Sequence, residues 1–175
     1  MKRNYLYYLL IVTGIFFSCT NSPRELKTKE TDQKSEDLIK INKYLVGKDA
    51  DIIKGYIGRR KWNMQITQSG LRYMIYEQGK GAKVQTGNKV ALKYTVSLLD
   101  GTLCYSSDKD GLKSFVVGKG GIETGLEEGV RLMHQGDKAR FIMMPHLAFG
   151  LVGDGNLIPA RAIIIYETEL IKITP

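Results

Sequence analysis

The sequence predicts an α+β fold: a curved antiparallel sheet of five to six strands wrapped over one helix and preceded by a short helical arm. Three observations carry this. From Gly70 onward apolar residues recur at every second position, the period of a half-buried strand. One segment in that stretch, 123–136, switches to helical spacing. Before Gly70 the spacing is helical and the charge excess is basic, which marks a separate appendage.

The first element is a leader. In "MKRNYLYYLLIVTGIFFSC" two cations precede an uncharged, mostly apolar run from Tyr5 to Phe17. Thirteen residues span about 20 Å as a helix at ~1.5 Å per residue, short of the roughly 20 residues that cross a bilayer. Residues 1–18 therefore read as a signal peptide. The ending "FFSC" resembles a bacterial lipobox, in which Cys19 would take the lipid and become the first mature residue. Phe16 and Phe17 depart from the commoner aliphatic and small pair. Thr20, standing where an Asp would retain the protein at the inner membrane, favours the outer membrane. The lack of a following acidic cluster favours its periplasmic face.

Residues 19–37 carry a single aliphatic side chain, Leu26, and read as a disordered tether. Residues 38–69 read as a helical arm of two short helices. Leu38, Ile41, Leu45 and Val46 mark the first; after Gly47 and Lys48, Ile52, Ile53, Tyr56 and Ile57 mark the second. Each is too short to stand alone. The spacing leaves three partners open: the other helix, the main domain, or a second copy, which would make a homodimer. Trp62, the sole tryptophan, is the expected anchor between arm and body.

The body, residues 70–175, opens with "LRYMIYEQ", where Leu71, Tyr73 and Ile75 share a face. "KVALKYTVSLL" aligns Val90, Leu92, Tyr94, Val96 and Leu98; "DG" turns the chain into "TLCYSS"; "SFVVG" follows. "ETGLEEGVRLMHQG" reads as one helix with Leu126, Val130 and Met133 inward and Gly136 as its stop. "DKARFIMMP" and "ARAIIIYETELIKI" are the last strands.

Composition excludes several chemistries. The formal net charge is +8, but residues 70–175 hold thirteen Lys/Arg against eleven Asp/Glu, so the body lacks the basic face of a nucleic-acid binder. Two histidines and no cysteine pair leave a His/Cys metal site without ligands. In "GKGGIETG" Glu123 stands where a dinucleotide loop needs its third glycine. Glu127 and Glu128 are adjacent on a helix, do not face each other, and read as solvated.

The motifs "VALKYTVSLLDGTLCYSS", "FVVGKGGIETGLEEGVRLMHQGDKARFIMMP", "AFG" and "LIPARAIIIYETELI", in this order, resemble FKBP-type peptidyl-prolyl cis-trans isomerases. They cover nearly all of residues 86–173. With the leader, the arm and "GLRYMIYEQGKG", the chain is similar to the envelope lipoprotein branch of that family, including gliding-motility-associated members. The resemblance implies an isomerase with no metal and no cofactor. It implies proline-containing polypeptide clients, a membrane contact through the lipid, no nucleic acid, and a place in the cell envelope.

The resemblance also implies a pocket between sheet and helix. Tyr94 matches the family's tyrosine on the second strand, and Ile122 an aliphatic wall. The backbone N–H of Glu123 falls where the family binds a substrate carbonyl, so its side chain is expected to matter less. Phe149 stands where a tyrosine usually donates a hydrogen bond. Leu126 replaces a tryptophan of the floor, Tyr166 a phenylalanine, and Ile158 matches an apolar residue of the loop over the pocket. Cys104 replaces a phenylalanine as an apolar filler; if Cys19 is lipidated it has no disulfide partner within the chain. Tyr105 replaces an aspartate and either turns its hydroxyl into the pocket or closes it. Losing the aspartate, the tryptophan and the donor tyrosine together leaves an alternative: a non-catalytic chaperone or peptide-binding module using the same groove.

Overall fold

The computed structural model describes residues 23–175, with side chains from residue 33 onward. The leader and Cys19 lie outside the described residues. The described residues divide into two units, with the boundary between Tyr44 and Leu45.

A single helix, α1 (Pro23–Arg60), replaces the disordered tether and the two-helix arm expected from sequence. A shortage of apolar side chains argues against burial but not against a helix. A helix satisfies its own backbone, and the Glu, Lys, Gln and Leu of residues 23–38 are strong helix formers. Proline at the first helical position removes only an N–H that has no partner there. Gly47 does not break the helix: it costs roughly 0.5–1 kcal/mol relative to alanine, and a Cβ there would meet nothing within 4 Å.

The second unit holds a seven-stranded antiparallel sheet, two strands more than the lower expectation. The strands are β1 (Gln65–Ile66), β2 (Arg72–Glu77), β3 (Lys89–Leu98), β4 (Leu103–Ser106), β5 (Lys113–Val116), β6 (Lys138–Met143) and β7 (Ile164–Thr174). Their spatial order is β1-β2-β6-β7-β3-β4, with β5 also on β3. β1 falls in the segment expected to be arm, and the helix from Leu45 onward belongs with the body. The body therefore begins before Gly70.

Register shifts interrupt the sheet at three places: between Ile75 and Glu77, between Val96 and Ser97, and between Ala91 and Leu92. β3 pairs β7 along its whole length, with a register shift between Ala91 and Leu92. Its other edge is shared: Lys89–Leu92 pair with β5, and Thr95–Ser97 with β4. Such shifts increase local twist and re-aim side chains.

The helix facing the sheet, α3 (Thr124–Val130), is shorter than expected and stops six residues before Gly136. Leu132 and Met133 continue as tight turns bonded to Gly129 and Val130, and His134 is drawn into a bridge with Lys83. The inward set is as expected: Leu126, Val130 and Met133 are fully buried with Leu92, Phe141 and Leu170. Two glycines allow this approach. A Cβ on Gly129 would lie 2.7 Å from the Phe141 ring, and one on Gly125 would lie 3.0 Å from Leu147. Two short elements lie outside the sequence expectation: α2 (Ser107–Asp110) and a 3-10 turn at Pro145–Leu147.

Strand alternation sends Ile142 and Ile165 to the face opposite Phe141 and Tyr166. There they form a second core with Ile53 and Tyr56 of α1, Met144 and Ile163. Trp62 packs against this cluster, edge-on to Tyr56 at 5.7 Å, with the Arg140 guanidinium 3.8 Å from its ring centre. Arg140 is held in turn by Glu167. Trp62 is thus the anchor the sequence suggested. Arg161 adds a link: its side chain reaches Asp49 at 3.0 Å and its N–H donates to the Gly150 carbonyl.

This packing predicts a contrast between neighbours on α1. Ile53→Ala empties a fully buried site and is expected to cost about 2–5 kcal/mol in urea denaturation. Ile52→Ala, at an exposed site, is expected to stay within ~0.5 kcal/mol. Equal small losses would show that α1 does not pack on the sheet in solution.

Candidate functional site

A cavity of about 710 Å³ opens between the sheet and the entrance to α3. It collects residues distant in sequence. β3 contributes Tyr94, β7 Tyr166, β4 Tyr105, and the chain entering α3 Ile122 and Glu123; Phe149 follows the 3-10 turn. All six are residues the sequence singled out. Register explains the pairing of rings: Tyr166 lies opposite Val96 and Phe141 in the sheet, and its ring centre is 6.0 Å from that of Tyr94.

Three other expected residues do not line the cavity. Cys104, Leu126 and Ile158 are buried behind it, in the main core. Leu126 is therefore core and not floor, because the first turn of α3 aims it at the sheet. Cys104 is buried in the main core: its thiol sits 3.7 Å from the Leu157 carbonyl, and burial pushes its pKa up, aided by Asp154 and Asp100.

The floor differs most from expectation. Lys113, at the start of β5, places Nζ 3.0 Å from both carboxylate oxygens of Glu123 and 2.9 Å from the Tyr166 hydroxyl. The Tyr166 hydroxyl donates to Glu123 at 2.7 Å. The Glu123 side chain is 6% exposed and that of Lys113 25%. Thus the Glu123 side chain, expected to matter little, is half of an ion pair set into the cavity. Burial above all, then the charge and hydrogen bond of Glu123, push the Tyr166 phenol far up, so it stays protonated. The ammonium also lies 5.7 Å and 5.4 Å from the ring centres of Tyr94 and Tyr166. The Glu123 backbone N–H meets no acceptor among the described residues, so it remains open to a ligand carbonyl.

Tyr105 neither blocks the cavity nor leaves it without a carboxylate. Its hydroxyl donates to Asp154 and accepts from Asn156 Nδ2 at 3.3 Å. The bond to Asp154 is the largest cause of its raised pKa. Asp154 also accepts from the backbone of Asn156 and Ile158, so the loop closing the cavity is organised around one carboxylate. A carboxylate lost from the strand has returned from the loop.

Sequence reasoning missed Lys113, Asp154, Asn156 and His146, all of which line the cavity. One signal was readable. Lys113, Phe115 and Val117 share a strand face, and the last two are buried. The "GDGN" turn carries no period and gave none. Glu127 and Glu128 are also less free than expected: Glu127 accepts from the Gly118 N–H and pairs with Arg131, and Glu128 accepts from Ser69.

A buried pair is costly to break and cheap to replace. Lys113→Met leaves the Glu123 carboxylate unpaired and is expected to cost roughly 3 kcal/mol in urea denaturation, the low end for a buried pair because Lys113 keeps some solvent. Lys113→Met/Glu123→Leu/Tyr166→Phe is expected to regain wild-type stability or exceed it. A triple variant as unstable as the single one would contradict this account of the floor.

Comparison with known proteins matches this architecture. Residues 80–171 match the family model described as FKBP-type peptidyl-prolyl cis-trans isomerase. An FKBP-type peptidyl-prolyl cis-trans isomerase FkpA of Aeromonas hydrophila is 36% identical over 115 residues, 65% of this chain and 42% of that protein. The chain thus spans less than half the length of that relative. FK506-binding protein 1A of Neurospora crassa is 34% identical over 106 residues, 59% of this chain and 88% of that protein. The crystal structure of FkpA from Escherichia coli superposes with a TM-score of 0.62 at 23% identity, over 100% of this chain and 84% of that one, a likeness of fold. With most of the smaller relative covered and the family model spanning β3 to β6, most of β7, α3 and the cavity, the chain belongs to the FKBP-type peptidyl-prolyl cis-trans isomerase family.

Proposed function

We propose that the chain is a peptidyl-prolyl cis-trans isomerase of the cell envelope that assists the folding of exported polypeptides. The cavity carries this reading: ring walls from Tyr94 and Phe149, the aliphatic Ile122, and a backbone donor at Glu123 with no competing acceptor among the described residues. Rotation about a peptide C–N bond faces a barrier of ~18–20 kcal/mol, because resonance makes that bond partly double. A water-poor cavity disfavours the charge-separated resonance form, and a donor holds the ligand carbonyl as the bond twists. Ten-thousandfold acceleration asks for about 5.5 kcal/mol, within reach of packing and a few hydrogen bonds. No nucleophile is required.

The ion pair on the floor favours a second reading, a groove that binds proline segments without turning them over. Charges at Lys113 and Glu123 make the cavity less apolar than isomerisation by desolvation prefers. An isomerisation assay on a proline-containing peptide separates the two. Phe149→Tyr restores a donor at the wall. A net hydrogen bond of ~0.5–1.5 kcal/mol predicts a gain of roughly two- to twelvefold in kcat/KM. Binding without turnover in both proteins would establish the second reading.

The leader supports a finer placement: lipid at Cys19, anchoring on the periplasmic face of the outer membrane, within the lipoprotein and gliding-motility-associated branch of the family. Cys19→Ala is expected to abolish lipidation and detergent-phase partitioning. A variant that stays lipidated would refute the anchor. The exposed Leu38, Ile39, Ile41 and Tyr44 of α1 support homodimerisation through the helix. Sedimentation of the unlipidated chain is expected to show a dimer that Leu38→Lys/Ile41→Lys dissociates. A monomer at all concentrations would exclude this interface.

A further inference from the structure

We propose that the cavity selects polypeptides in which a lysine or arginine adjoins the proline, with Asp154 as the residue that sets this preference. The proposal rests on the reading of the cavity as a proline site and adds a substrate class to it.

The first observation is the charge left over in the cavity. Among its lining residues Lys113, Glu123 and Asp154 carry formal charge, and His146 brings an imidazole. Lys113 and Glu123 neutralise each other at 3.0 Å. His146 turns Nε2 to the Ser69 carbonyl at 3.1 Å. Asp154 is left as the unbalanced charge.

The second observation is how Asp154 is held. Its Oδ1 accepts from the backbone N–H of Asn156 at 2.9 Å and of Ile158 at 2.8 Å, and its Oδ2 accepts from Tyr105. Every one of these donors is neutral. No lysine or arginine among the described residues forms an ion pair with it. Its burial pushes its pKa up, but the hydrogen bonds outweigh this and hold it below the usual carboxylate range, so it is ionised at neutral pH. The site is thus a fixed, oriented anion without a counter-charge.

The third observation is independent of Asp154. The opposite wall, Tyr94, brings no charge of its own: burial above all pushes its phenol up, so it stays protonated. Lys93, the nearest cation in sequence, points to the other sheet face, where it meets Asp108 at 3.5 Å. A cavity of about 710 Å³ is of the size that holds drug-sized ligands. It takes a proline ring and part of an adjoining side chain together. A long cationic side chain brings the missing counter-charge, whereas a glutamate meets repulsion.

The test uses three peptides that differ only beside the proline, with lysine, leucine or glutamate before it, and a matched set with the change after it. Dissociation constants are read from amide chemical-shift titrations of the intact soluble chain, and kcat/KM from the isomerisation assay. A partly exposed ion pair predicts a two- to fivefold preference for lysine over leucine and a comparable handicap for glutamate, roughly fivefold or more between the extremes. The lysine-to-glutamate ratio is expected to shrink at about 1 M salt, where the screening length is ~3 Å, and to fall in Asp154→Asn. If that variant fails to fold, the salt dependence of the wild type decides. Equal dissociation constants for lysine and glutamate peptides, or a ratio that salt leaves unchanged, overturn the proposal. Turnover without charge preference sinks the selectivity and keeps the isomerase. Charge-selective binding without turnover does the reverse. A chain that binds none of the peptides loses both readings.

Discussion

The close seating of α3 on the sheet is the constraint on which core and cavity both depend. Gly125 and Gly129 face Leu147 and the Phe141 ring with no room for a Cβ. The helix backbone therefore lies against the side chains of the sheet and its flanking turn. That depth lets Leu126 and Val130 fill the core. It also lets Ile122 and Glu123, one turn earlier, reach over Tyr166 and close one side of the cavity. At seven residues α3 is too short to persist alone. Its shape exists only as part of this packing.

Much of the fold was legible because its strands are buried on one face and alternate cleanly. Val90, Leu92 and Val96 announce β3, and Leu71 with Tyr73 and Ile75 announce β2. The failures have separate causes. Residues 23–37 carry no apolar period in the sequence, and only intrinsic helix preference speaks for them. β1 has two residues, too few to show a period. Leu126 has the spacing of both core and pocket, and sequence alone does not say which side of a helix start faces a cavity. Asp154 sits in a turn of Gly, Asp and Asn, where side chains answer to backbone geometry and carry no periodic signal.

The floor shows how a chain keeps a family's cavity while changing what the cavity is made of. Lys113, Glu123 and Tyr166 satisfy one another, so no side-chain donor or acceptor among the described buried atoms is left over. The arrangement holds together only as a set, since a half-satisfied buried network is worse than an apolar one. Such a set resists gradual change: each member is tolerable only in the presence of the others. The apolar packing of Cys104 and Ile158 just behind it has no such interdependence.

The place of β7 in the sheet governs the order in which the molecule can assemble. It lies between β6 and β3, so it alone joins the β1-β2-β6 half to the half built on β3, β4 and β5. It is also the final strand in sequence, and its pairing of Thr174 with Lys89 spans most of the body. Both halves are complete in the growing polypeptide before the strand that unites them exists. Pairings so distant in sequence close slowly. Until Ile164–Thr174 arrives, each half exposes an unpaired edge and the Tyr94 wall stands without Tyr166. The cavity cannot be complete before β7 is in place, and a chain cut short before β7 lacks both Tyr166 and the strand that joins the two halves.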